Sequence, residues 1–456
     1  MMDTATAAAA VHGRALGPAV AFDRVTTDSR ALAAGDLFVA LKGERFDGHD
    51  FVADALRRGA AAALVDDAHA GTLHGSLIAV ADTLQALGAL AAHWRRRFDL
   101  PVVTISGSNG KTSTKEMLAS IFRAAVGADH VCATSGNLNN AIGLPLTVLT
   151  LRPHHRRAVF ELGMNHRGET RELAAIVGPT VALVTNAQRE HQEFMRSVAE
   201  VAQEHADAIA ALPRGGVAVV NADDAHAEVW RTAARSAGAT VTTFGTERAA
   251  DVTGTFVLYP ERSDVVIRME QTSFTVALRV PGRHMIANAL AAAAAARAAG
   301  VAPEAIARGL AAFQPVAGRL VPRKGAHGAV VIDDTYNANP DSVRAAIDVL
   351  ASTPGDRWLV LGDMGEVGDQ GPAFHREVGA YARDHGVARL FAAGALAREA
   401  VDAFGAGSAH YESVEALAAA LAPMAAQGVT VLVKGSRFMR MERVVAALTA
   451  AEATGH

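Results

Sequence analysis

The residues best suited to chemistry in this chain of 456 residues lie in a glycine-rich segment, SGSNGKTS, at residues 106–113. Gly107 and Gly110 let backbone N–H groups approach an anion closely, and Lys111 adds a positive charge. Thr112 places a hydroxyl at the start of a predicted helix, where it is available to Mg²⁺. The segment therefore predicts a loop that holds the phosphates of a nucleotide.

The glycine spacing departs from the usual P-loop, which has a glycine five residues before Gly110, where this chain has Ile105. An ordinary glycine turn is the alternative interpretation of the loop taken alone. A buried strand is predicted just before the loop, from Pro101, and a helix just after it, at residues 113–125. Because strand, glycine turn and helix in that order open a nucleotide-binding α/β unit, this context favours phosphate binding.

Two further polar residues follow predicted buried strands. Glu161 ends the strand at 157–162, and His191 follows the strand at 181–186. Open α/β sheets bind ligands at the carboxyl ends of their strands, so both side chains are candidate Mg²⁺ ligands beside Thr112. Imidazole is a less usual ligand for Mg²⁺ than oxygen. A capping carboxylate and a structural histidine are the alternatives.

Composition excludes several classes of protein. Half of the residues are hydrophobic and 20% are charged, as in globular proteins. The net charge of −4 gives no reason to expect nucleic acid or an anionic membrane as a partner. The single cysteine, Cys132, excludes an internal disulfide and a cysteine-rich metal cluster. The alanine-rich start lacks the basic residues of a signal peptide, so we expect a soluble cytoplasmic protein without membrane insertion, whose first dozen residues lack regular structure.

The order of apolar runs and turns predicts an α/β protein of three domains. Residues 1–98 are expected to form a small mixed α/β domain, and residues 99–314 a central P-loop-type ATP-binding α/β domain. Within the latter, 244–280 is expected to be an antiparallel elaboration. A second alternation of strands and helices predicts a Rossmann-like domain at 315–456. Its predicted elements are strands at 329–333, 357–361, 388–392 and 429–434, helices at 341–351, 373–385 and 415–427, and a final helix.

Several motifs, in order along nearly the whole chain, resemble those of the Mur ligases. They are TTDSR (26–30), GDLFVALKGERFDGHDF (35–51), GSNGKTSTKEM (107–117), TSGNLNNAIGLPLTVL (134–149), ELGMNHRGE (161–169), DDTYNANPDS (333–342), LGDMGEVG (361–368) and LVKGSR (432–437). The shorter glycine spacing of the loop is that of this family. The last five motifs are similar to the member that adds D-alanyl-D-alanine, and the DNPR motif of the diaminopimelate-adding member is absent.

The resemblance implies a cytoplasmic, monomeric, ATP- and Mg²⁺-dependent amide ligase. It would join D-alanyl-D-alanine to UDP-N-acetylmuramoyl-tripeptide through an acyl phosphate, in the last cytoplasmic step of peptidoglycan precursor synthesis. Three alternatives remain open: another amino-acid-adding Mur ligase, a nucleotide-driven switch that forms no bond, and a precursor-binding module without activity.

The resemblance also implies roles for individual residues. Lys111, Glu161 and His191 are the implied catalytic residues, and Thr112, Glu161 and His191 the implied metal ligands. The implied ATP contacts are Gly107, Ser108, Asn109, Gly110, Lys111, Thr112, Ser113, Asn288, Arg319 and Asp334. The implied substrate contacts are Ser29 and Arg30 for the UDP end, Asn137, Asn139 and Asn140 for the nucleotide-peptide, and Asn337, Asn339 and Lys434 for the dipeptide. Asparagine amides satisfied by the backbone are the alternative for the three central asparagines.

Two positions depart from the family pattern. Met285 stands where the family usually has an asparagine after the histidine of GRH. His205 stands where a helix of the family usually carries a carbamylated lysine that bridges toward a second Mg²⁺. Glu204 is the nearest carboxylate on the predicted helix, so it is our hypothesis for a substitute.

Overall fold

Three large sheets, of five, nine and six strands, follow one another along the chain, after a two-stranded ribbon near its start. The computed structural model describes residues 1–449, so the end of the predicted third domain, 450–456, lies outside the described residues. The predicted α/β class with three regions is confirmed by this architecture. The boundaries after residues 98 and 314 stay predictions.

The first region is a small mixed sheet in the strand order β2-β7-β6-β5-β4, in which only β2 is antiparallel. Its elements are β1 (Met2–Asp3), α1 (Thr4–Ala10), β2 (Arg14–Leu16), β3 (Ala21–Phe22), β4 (Arg24–Thr26), β5 (Asp36–Val39), α2 (Val52–Arg57), β6 (Ala62–Asp66), β7 (Leu77–Val80) and α3 (Thr83–Arg95). The expectation that the first dozen residues lack regular structure is wrong. Asp3 caps α1 by accepting a hydrogen bond from Thr6 N (2.7 Å), and Ala7 and Ala8 are buried.

The central region is built on the nine-stranded sheet, in the order β16-β15-β14-β13-β12-β11-β8-β10-β9. Its elements are β8 (Val102–Ser106), α4 (Lys111–Val126), β9 (Val131–Ala133), α5 (Gly143–Val148), β10 (Arg157–Glu161), α6 (Glu169–Val177), β11 (Val181–Val184), α7 (Val198–Ala210), β12 (Val217–Asn221), α8 (Ala227–Ala237), β13 (Thr240–Gly245), β14 (Val252–Leu258), β15 (Ser263–Met269), β16 (Thr272–Leu278), α9 (Arg283–Ala298) and α10 (Pro303–Ala312).

The pairing within this sheet decides where a ligand fits. The seven strands β8 to β14 run parallel, and β14, β15 and β16 form the predicted antiparallel extension. After β8 the chain adds β9 and β10 on one side and then crosses to β11 on the other. Such a reversal opens a crevice at the carboxyl ends of the central strands. The alanine-rich helix α9 packs closely beneath the sheet, with residues 288–296 all buried.

The third region has the strand order β17-β18-β22-β19-β20-β21, parallel except at β17. Its elements are β17 (Val321–Lys324), β18 (Val330–Asp334), α11 (Pro340–Ala351), β19 (Asp356–Gly362), α12 (Gly371–Asp384), β20 (Arg389–Ala393), α13 (Ala397–Phe404), β21 (Ser408–Tyr411), α14 (Val414–Leu421), β22 (Val429–Lys434) and α15 (Glu442–Thr449).

Two predictions for the third region need correction. The helix predicted at 415–427 ends at Leu421, because Pro423 lies two residues beyond and proline disfavours continued helix. The pair α13 and β21 was not predicted; its segment has few strongly apolar residues.

The first and central regions share one apolar core, whereas the contacts of the third region at the site are polar. Helix α3 packs on α5 and α6, which places Leu87 and Leu90 in one cluster with Leu144 and Leu173. The third region instead meets the central one through charged and amide side chains around the glycine-rich loop. Within the described part of the chain, no helix has the length and apolarity needed to cross a bilayer.

Candidate active site

A cleft of about 1290 Å³ lies between the central and third regions. The wall on the side of the central region is formed by the carboxyl ends of β8, β10 and β11, where the chain crosses from one side of β8 to the other. The third region supplies the opposite wall, from the ends of β18 and β22 and the start of α11. Because pockets for single small ligands are usually about 300–1,000 Å³, this cleft has room for two ligands side by side.

The glycine-rich loop lines this cleft and has the backbone that the sequence predicts for an anion cradle. Gly107 and Gly110 have φ of +128° and +83°. A Cβ at Gly107 would lie 2.0 Å from Thr185 Oγ1, and one at Gly110 would lie 2.2 Å from Asn288 Oδ1. Only glycine fits either position. Helix α4 begins at Lys111, so its free N–H groups face the loop and attract phosphate.

The Lys111 ammonium is folded over the loop. It donates hydrogen bonds to the carbonyl oxygens of Gly107 and of Ser108 (3.1 Å), and to Glu190 Oε2 at 3.4 Å. Two of these acceptors are loop carbonyls, so the ammonium lies where phosphate oxygens would replace them. The structure thus places the one lysine of the loop at the predicted phosphate position.

The Glu161 carboxylate lies at the centre of a polar cluster across the cleft floor. Its Oε1 accepts hydrogen bonds from Thr112 Oγ1 (3.1 Å) and Asn139 Nδ2 (2.8 Å). Arg319, from the segment that leads into the third region, donates to Thr112 Oγ1 at 2.8 Å and stacks on the Tyr336 ring. Glu161 Oε2 is buried and has no hydrogen-bond partner in residues 1–449.

This oxygen set fits a divalent cation. A buried carboxylate oxygen without a partner is unfavourable unless a donor or a metal satisfies it. Thr112 and Glu161 present oxygen ligands, which Mg²⁺ prefers. His191 adds an imidazole at the same wall of the cleft.

His191 itself has the left-handed φ of +49°, which costs a non-glycine residue roughly 1–2 kcal/mol. Its Nδ1 lies 2.7 Å from Glu366 Oε2 of the third region, and its Nε2 lies 3.7 Å from Glu190 Oε2. The neighbouring imidazole lowers the pKa of the Glu366 carboxyl, despite the opposing effect of burial. Strained backbone of this kind persists where the surroundings hold it, as at ligand sites.

Sequence reasoning missed Glu190, which is buried directly beside the loop lysine. Its Oε1 has no hydrogen-bond partner, although His205 Nε2 lies 3.2 Å away. Burial raises the pKa of the Glu190 carboxyl, but the charge of Lys111 and the imidazoles of His205 and His191 outweigh burial and lower it to about 2. The only signal in the sequence is its position directly before His191.

The hypothesis that Glu204 substitutes for a missing lysine is wrong in this structure. Glu204 Oε1 and Oε2 accept hydrogen bonds from Thr170 N (2.9 Å) and Gly168 N (2.8 Å), so both oxygens are used at the start of α6. His205 turns to the loop instead, with Nδ1 2.9 Å from Ser106 Oγ. Burial lowers the pKa of His205, which favours the neutral imidazole.

The other predicted ATP contacts surround the loop. Ser108 Oγ and Asn109 Nδ2 hold Gln188, through its backbone N (2.9 Å) and its Oε1 (2.6 Å). Asn288 is buried, and its amide donates to Met285 Sδ at 3.5 Å, at the position where the family usually has asparagine. Ser113 is buried in the first turn of α4 and lines the cleft.

In the third region, Asp334 pairs with Lys434 in a buried contact of 2.6 Å. Lys434 also donates to Asn337 O (2.9 Å), and Asp334 Oδ1 accepts from Leu320 N (3.2 Å). Asn339 caps α11 and donates from Nδ2 to Asn109 Oδ1 at 3.0 Å. These four predicted residues therefore lie together on the wall opposite the loop.

The predicted substrate contacts divide into two groups. Asn137, Asn139 and Asn140 line the cleft, and Asn140 Oδ1 also accepts a hydrogen bond from Gly143 N (2.8 Å) at the start of α5. Ser29 and Arg30 lie on a short 3₁₀ turn outside the lining of this cleft, where Arg30 pairs with Asp28 at 2.8 Å. The structure does not bring these two residues to the loop.

An ion-pair network joins the two walls beside the cleft. Arg189 of the central region contacts Asp341 (2.5 Å) and Glu377 (2.6 Å) of the third region, and Arg344 also contacts Glu377 (3.0 Å). This network, with the Asn109–Asn339 contact, holds the two walls close together. Such an arrangement keeps water from a reaction in the cleft.

Three segments of the chain match known domains of one family. Residues 22–95 match the domain described as Mur ligase family, catalytic domain. Residues 105–296 match the Mur ligase middle domain, and residues 318–437 match the Mur ligase, glutamate ligase domain.

Full-length relatives and solved structures agree with these matches. The UDP-N-acetylmuramoyl-tripeptide–D-alanyl-D-alanine ligase of Escherichia coli (strain K12) is 41% identical over 96% of either chain, and that of Bacillus subtilis (strain 168) is 36% identical over 92% of either chain. A crystal structure of MurF from Acinetobacter baumannii is 34% identical over 98% of either chain, with a TM-score of 0.89. The MurF ligase from Thermotoga maritima in complex with ADP is 28% identical, with 93% of this chain and 97% of that one covered and a TM-score of 0.83.

The chain therefore belongs to the Mur ligase family, as its motifs predict, and is an ATP-dependent ligase. Among Mur ligases, it is similar along nearly its whole length to those that carry the name UDP-N-acetylmuramoyl-tripeptide–D-alanyl-D-alanine ligase.

Proposed function

We propose that this chain joins the free carboxylate of UDP-N-acetylmuramoyl-tripeptide to the amine of D-alanyl-D-alanine and converts ATP to ADP and phosphate. One observation carries the proposal: the anion cradle at Lys111 and Thr112 adjoins the unpartnered Glu161 oxygen in a cleft with room for two ligands. The names of its full-length relatives supply the substrates.

The first chemical step activates a carboxylate, which is a poor electrophile. A carboxylate oxygen of the tripeptide attacks the γ-phosphorus of ATP, the bond between that phosphorus and the β,γ-bridging oxygen breaks, and ADP leaves. Lys111 and the N–H groups at the start of α4 neutralise the charge that develops on the phosphate oxygens. Thr112, Glu161 and His191 are the proposed holders of Mg²⁺, which would supply further neutralisation of phosphate charge.

The second step forms the amide bond. The dipeptide amine attacks the acyl-phosphate carbonyl, a tetrahedral intermediate collapses with loss of inorganic phosphate, and the nitrogen gives up one proton. An acyl phosphate hydrolyses in water, so the cleft must stay closed during this step. Arg189, Asp341 and Glu377 supply the contact that holds the third region against the loop.

The substrate positions follow from the two walls of the cleft. We propose that Asn137, Asn139 and Asn140 contact the nucleotide-peptide beside Glu161, and that Asn337 and the neighbouring residues of the opposite wall contact the dipeptide. Two of those neighbours already use their side-chain donors. The Lys434 ammonium donates to Asp334 and to the Asn337 carbonyl, and the Asn339 amide donates to Asn109 of the loop. They therefore shape the wall, whereas the Asn337 side-chain amide has no hydrogen-bond partner among the described residues.

The remaining expectations belong to the same proposal. Ser29 and Arg30 are proposed to contact the UDP end, at a distance from the phosphate loop. The enzyme is proposed to act as a monomer in the cytoplasm, since every catalytic residue named above comes from one chain and the reaction consumes ATP.

Phosphate release tests the proposed function. ATP and Mg²⁺ are supplied with UDP-N-acetylmuramoyl-tripeptide alone, with D-alanyl-D-alanine alone, and with both, and products are identified by mass spectrometry. We expect sustained release only with both substrates, together with a product heavier by the dipeptide. Release without either substrate would contradict the ligase and favour a nucleotide-driven switch. A product formed with diaminopimelate or glutamate in place of the dipeptide would contradict the proposed acceptor.

A further inference from the structure

Glu190 is a charged residue in the cleft that the proposed chemistry leaves without a role. It is 7% exposed and lies between the loop lysine and two imidazoles. Its Oε2 accepts a hydrogen bond from Lys111 at the long distance of 3.4 Å, and its Oε1 has no hydrogen-bond partner. A buried carboxylate is stabilised by close pairing and hydrogen bonds, and this one has little of either.

The binding of phosphates would weaken the single ion pair that Glu190 has. Lys111 now contacts the carbonyl oxygens of Gly107 and Ser108 at the centre of the anion cradle. When phosphate oxygens occupy that cradle, they compete with Glu190 for the same ammonium. A buried negative charge would then lie beside the negative phosphates without compensation, which is strongly unfavourable unless a cation enters.

The neighbouring histidines do not supply the missing charge. His205 is 1% exposed, and its Nδ1 is held by Ser106 Oγ at 2.9 Å. Burial favours its neutral form. His191 Nδ1 faces the Glu366 carboxylate at 2.7 Å, so any positive charge on that ring is already paired. Glu190 lines the same cleft as Thr112 and Glu161, and its Oε1, 3.2 Å from His205 Nε2, has no hydrogen-bond partner among the described residues.

We propose that Glu190 is a ligand of the divalent cation that accompanies the nucleotide, and that Lys111 masks this ligand until phosphates draw the ammonium away. The inference rests on the proposed nucleotide binding at the loop. It gives the cleft two carboxylates with a free oxygen, Glu161 and Glu190, one at the end of β10 and one in the loop after β11.

Binding of Mn²⁺, followed by the electron paramagnetic resonance signal of the free ion, tests the proposal without turnover. The full-length protein is titrated with Mn²⁺ alone and with a non-hydrolysable ATP analogue, and the titration of the analogue without protein is subtracted. We expect Glu190→Gln to weaken Mn²⁺ binding in the nucleotide complex about tenfold or more, because one charged ligand is lost. Equal affinity in wild type and Glu190→Gln would overturn the proposal.

The masking by Lys111 makes a second, opposite prediction. In the nucleotide-free protein, Lys111→Met should tighten Mn²⁺ binding about fivefold, because an ammonium near the carboxylate is removed. The double variant Lys111→Met/Glu190→Gln should lose that gain. Absence of any gain in Lys111→Met would overturn the masking, and this measurement decides the question even where Glu190→Gln fails to fold.

Glu204→Gln is the matched control, since Glu204 is also a buried glutamate, next to His205 in the chain, but caps α6 with both oxygens. We expect its Mn²⁺ affinity to equal that of wild type, and a loss in this variant without a loss in Glu190→Gln would contradict the assignment. Binding of the analogue in the presence of Mg²⁺, measured by calorimetry, distinguishes a failure of the inference from a failure of the proposed function. A protein that does not bind the analogue contradicts the proposed function, whereas one that binds it with unchanged Mn²⁺ affinity in Glu190→Gln contradicts only the inference.

Discussion

Two pairs of a buried carboxylate and a lysine line the cleft, and they differ in how completely their polar atoms are satisfied. In the third region, Asp334 and Lys434 lie 2.6 Å apart, and each makes a further hydrogen bond. In the central region, Glu190 and Lys111 lie 3.4 Å apart, and Glu190 Oε1 has no hydrogen-bond partner within the described part of the chain. The first pair has the contacts of a structural element, and the second has those of a site that awaits a ligand.

The difference between the pairs separates two uses of a buried charge. A fully hydrogen-bonded ion pair holds its wall in one geometry, and breaking it is strongly destabilising. An incomplete pair is held weakly in the free protein, so its members exchange partners easily when phosphates and a cation arrive. The two pairs also differ in their position in the fold, because only the incomplete pair of Lys111 and Glu190 lies at the anion cradle.

The largest expected effect is a loss of activity when Lys111 is replaced, and this effect distinguishes Lys111 from Lys434. Lys111→Met should lower kcat about 10³-fold, because a donor to the transferring phosphate is lost. Its unfolding midpoint in urea should fall less than that of Lys434→Met, because the Lys111–Glu190 contact is long. Lys434→Met is the comparison variant, and its first defect should be lower stability. Phosphate release with both substrates and urea unfolding measure the two quantities. Activity of Lys111→Met within tenfold of wild type would contradict the role of the cradle.

The stability of the ligand-free protein tests the carboxylates in the same way. Asp334→Asn should reduce the free energy of unfolding by about 3 kcal/mol, because it leaves the buried Lys434 ammonium unpaired. Glu190→Gln should lose less, since its pair with Lys111 is long and Lys111 keeps two loop carbonyls as acceptors. Chemical denaturation followed by circular dichroism gives both values. An equal or larger loss in Glu190→Gln would remove the distinction between the pairs.

Removal of the ion pairs between the walls should have a moderate effect on ATP. Arg189→Ala removes the contacts with Asp341 and Glu377 and should raise the KM for ATP about tenfold, since the third region is no longer held against the loop. Small-angle scattering should show a larger radius of gyration than for wild type. Arg376→Ala breaks an exposed pair with Glu399 within the third region and serves as the control. An unchanged KM in Arg189→Ala would show that these contacts do not hold the closed cleft.

A change in acid stability is expected from the Glu190 carboxyl. The pKa of Glu190 is lowered to about 2 from an ordinary value of 4.5. A carboxyl with a lowered pKa in the folded state stabilises the fold above its unfolded pKa, and this contribution disappears as the pH falls from about 4.5 to about 2. Wild type should therefore lose more stability than Glu190→Gln between pH 5 and pH 3. Parallel curves of unfolding midpoint against pH would contradict this assignment.

The central sheet and its loop were predictable because local patterns there are strong. The apolar run of β8, the two glycines and the helix that follows them indicate one conformation, and the structure has it. The motifs also predict one site for Glu161, His191 and Arg319, and all three line the cleft. These residues follow strands or connect regions, and the parallel sheet brings such positions to one edge.

Glu190, His205 and the capping role of Glu204 were not predictable in the same way. A glutamate in the polar stretch NAQREHQE gives no sign of burial, which results from packing beneath α7, a helix that begins several residues later. Glu204 and His205 point about 100° apart around helix α7, so the sequence does not show which of them faces the loop. The backbone N–H groups at the start of α6 donate to Glu204, and this leaves His205 facing the loop. The helix α1 was missed because its alanines resemble an unstructured tail until β1 and β3 position them.

A crystal structure of the complex with Mn²⁺ and a non-hydrolysable ATP analogue tests the exchange of partners at Lys111 most directly. The anomalous signal of manganese locates the cation independently of the protein atoms. We predict that the Lys111 ammonium contacts phosphate oxygens and no longer Glu190, and that Glu190 Oε1 coordinates the cation, while Asp334 and Lys434 keep their 2.6 Å contact. A complex in which Lys111 still contacts Glu190 and the cation lies beyond the reach of Glu190 would contradict the exchange.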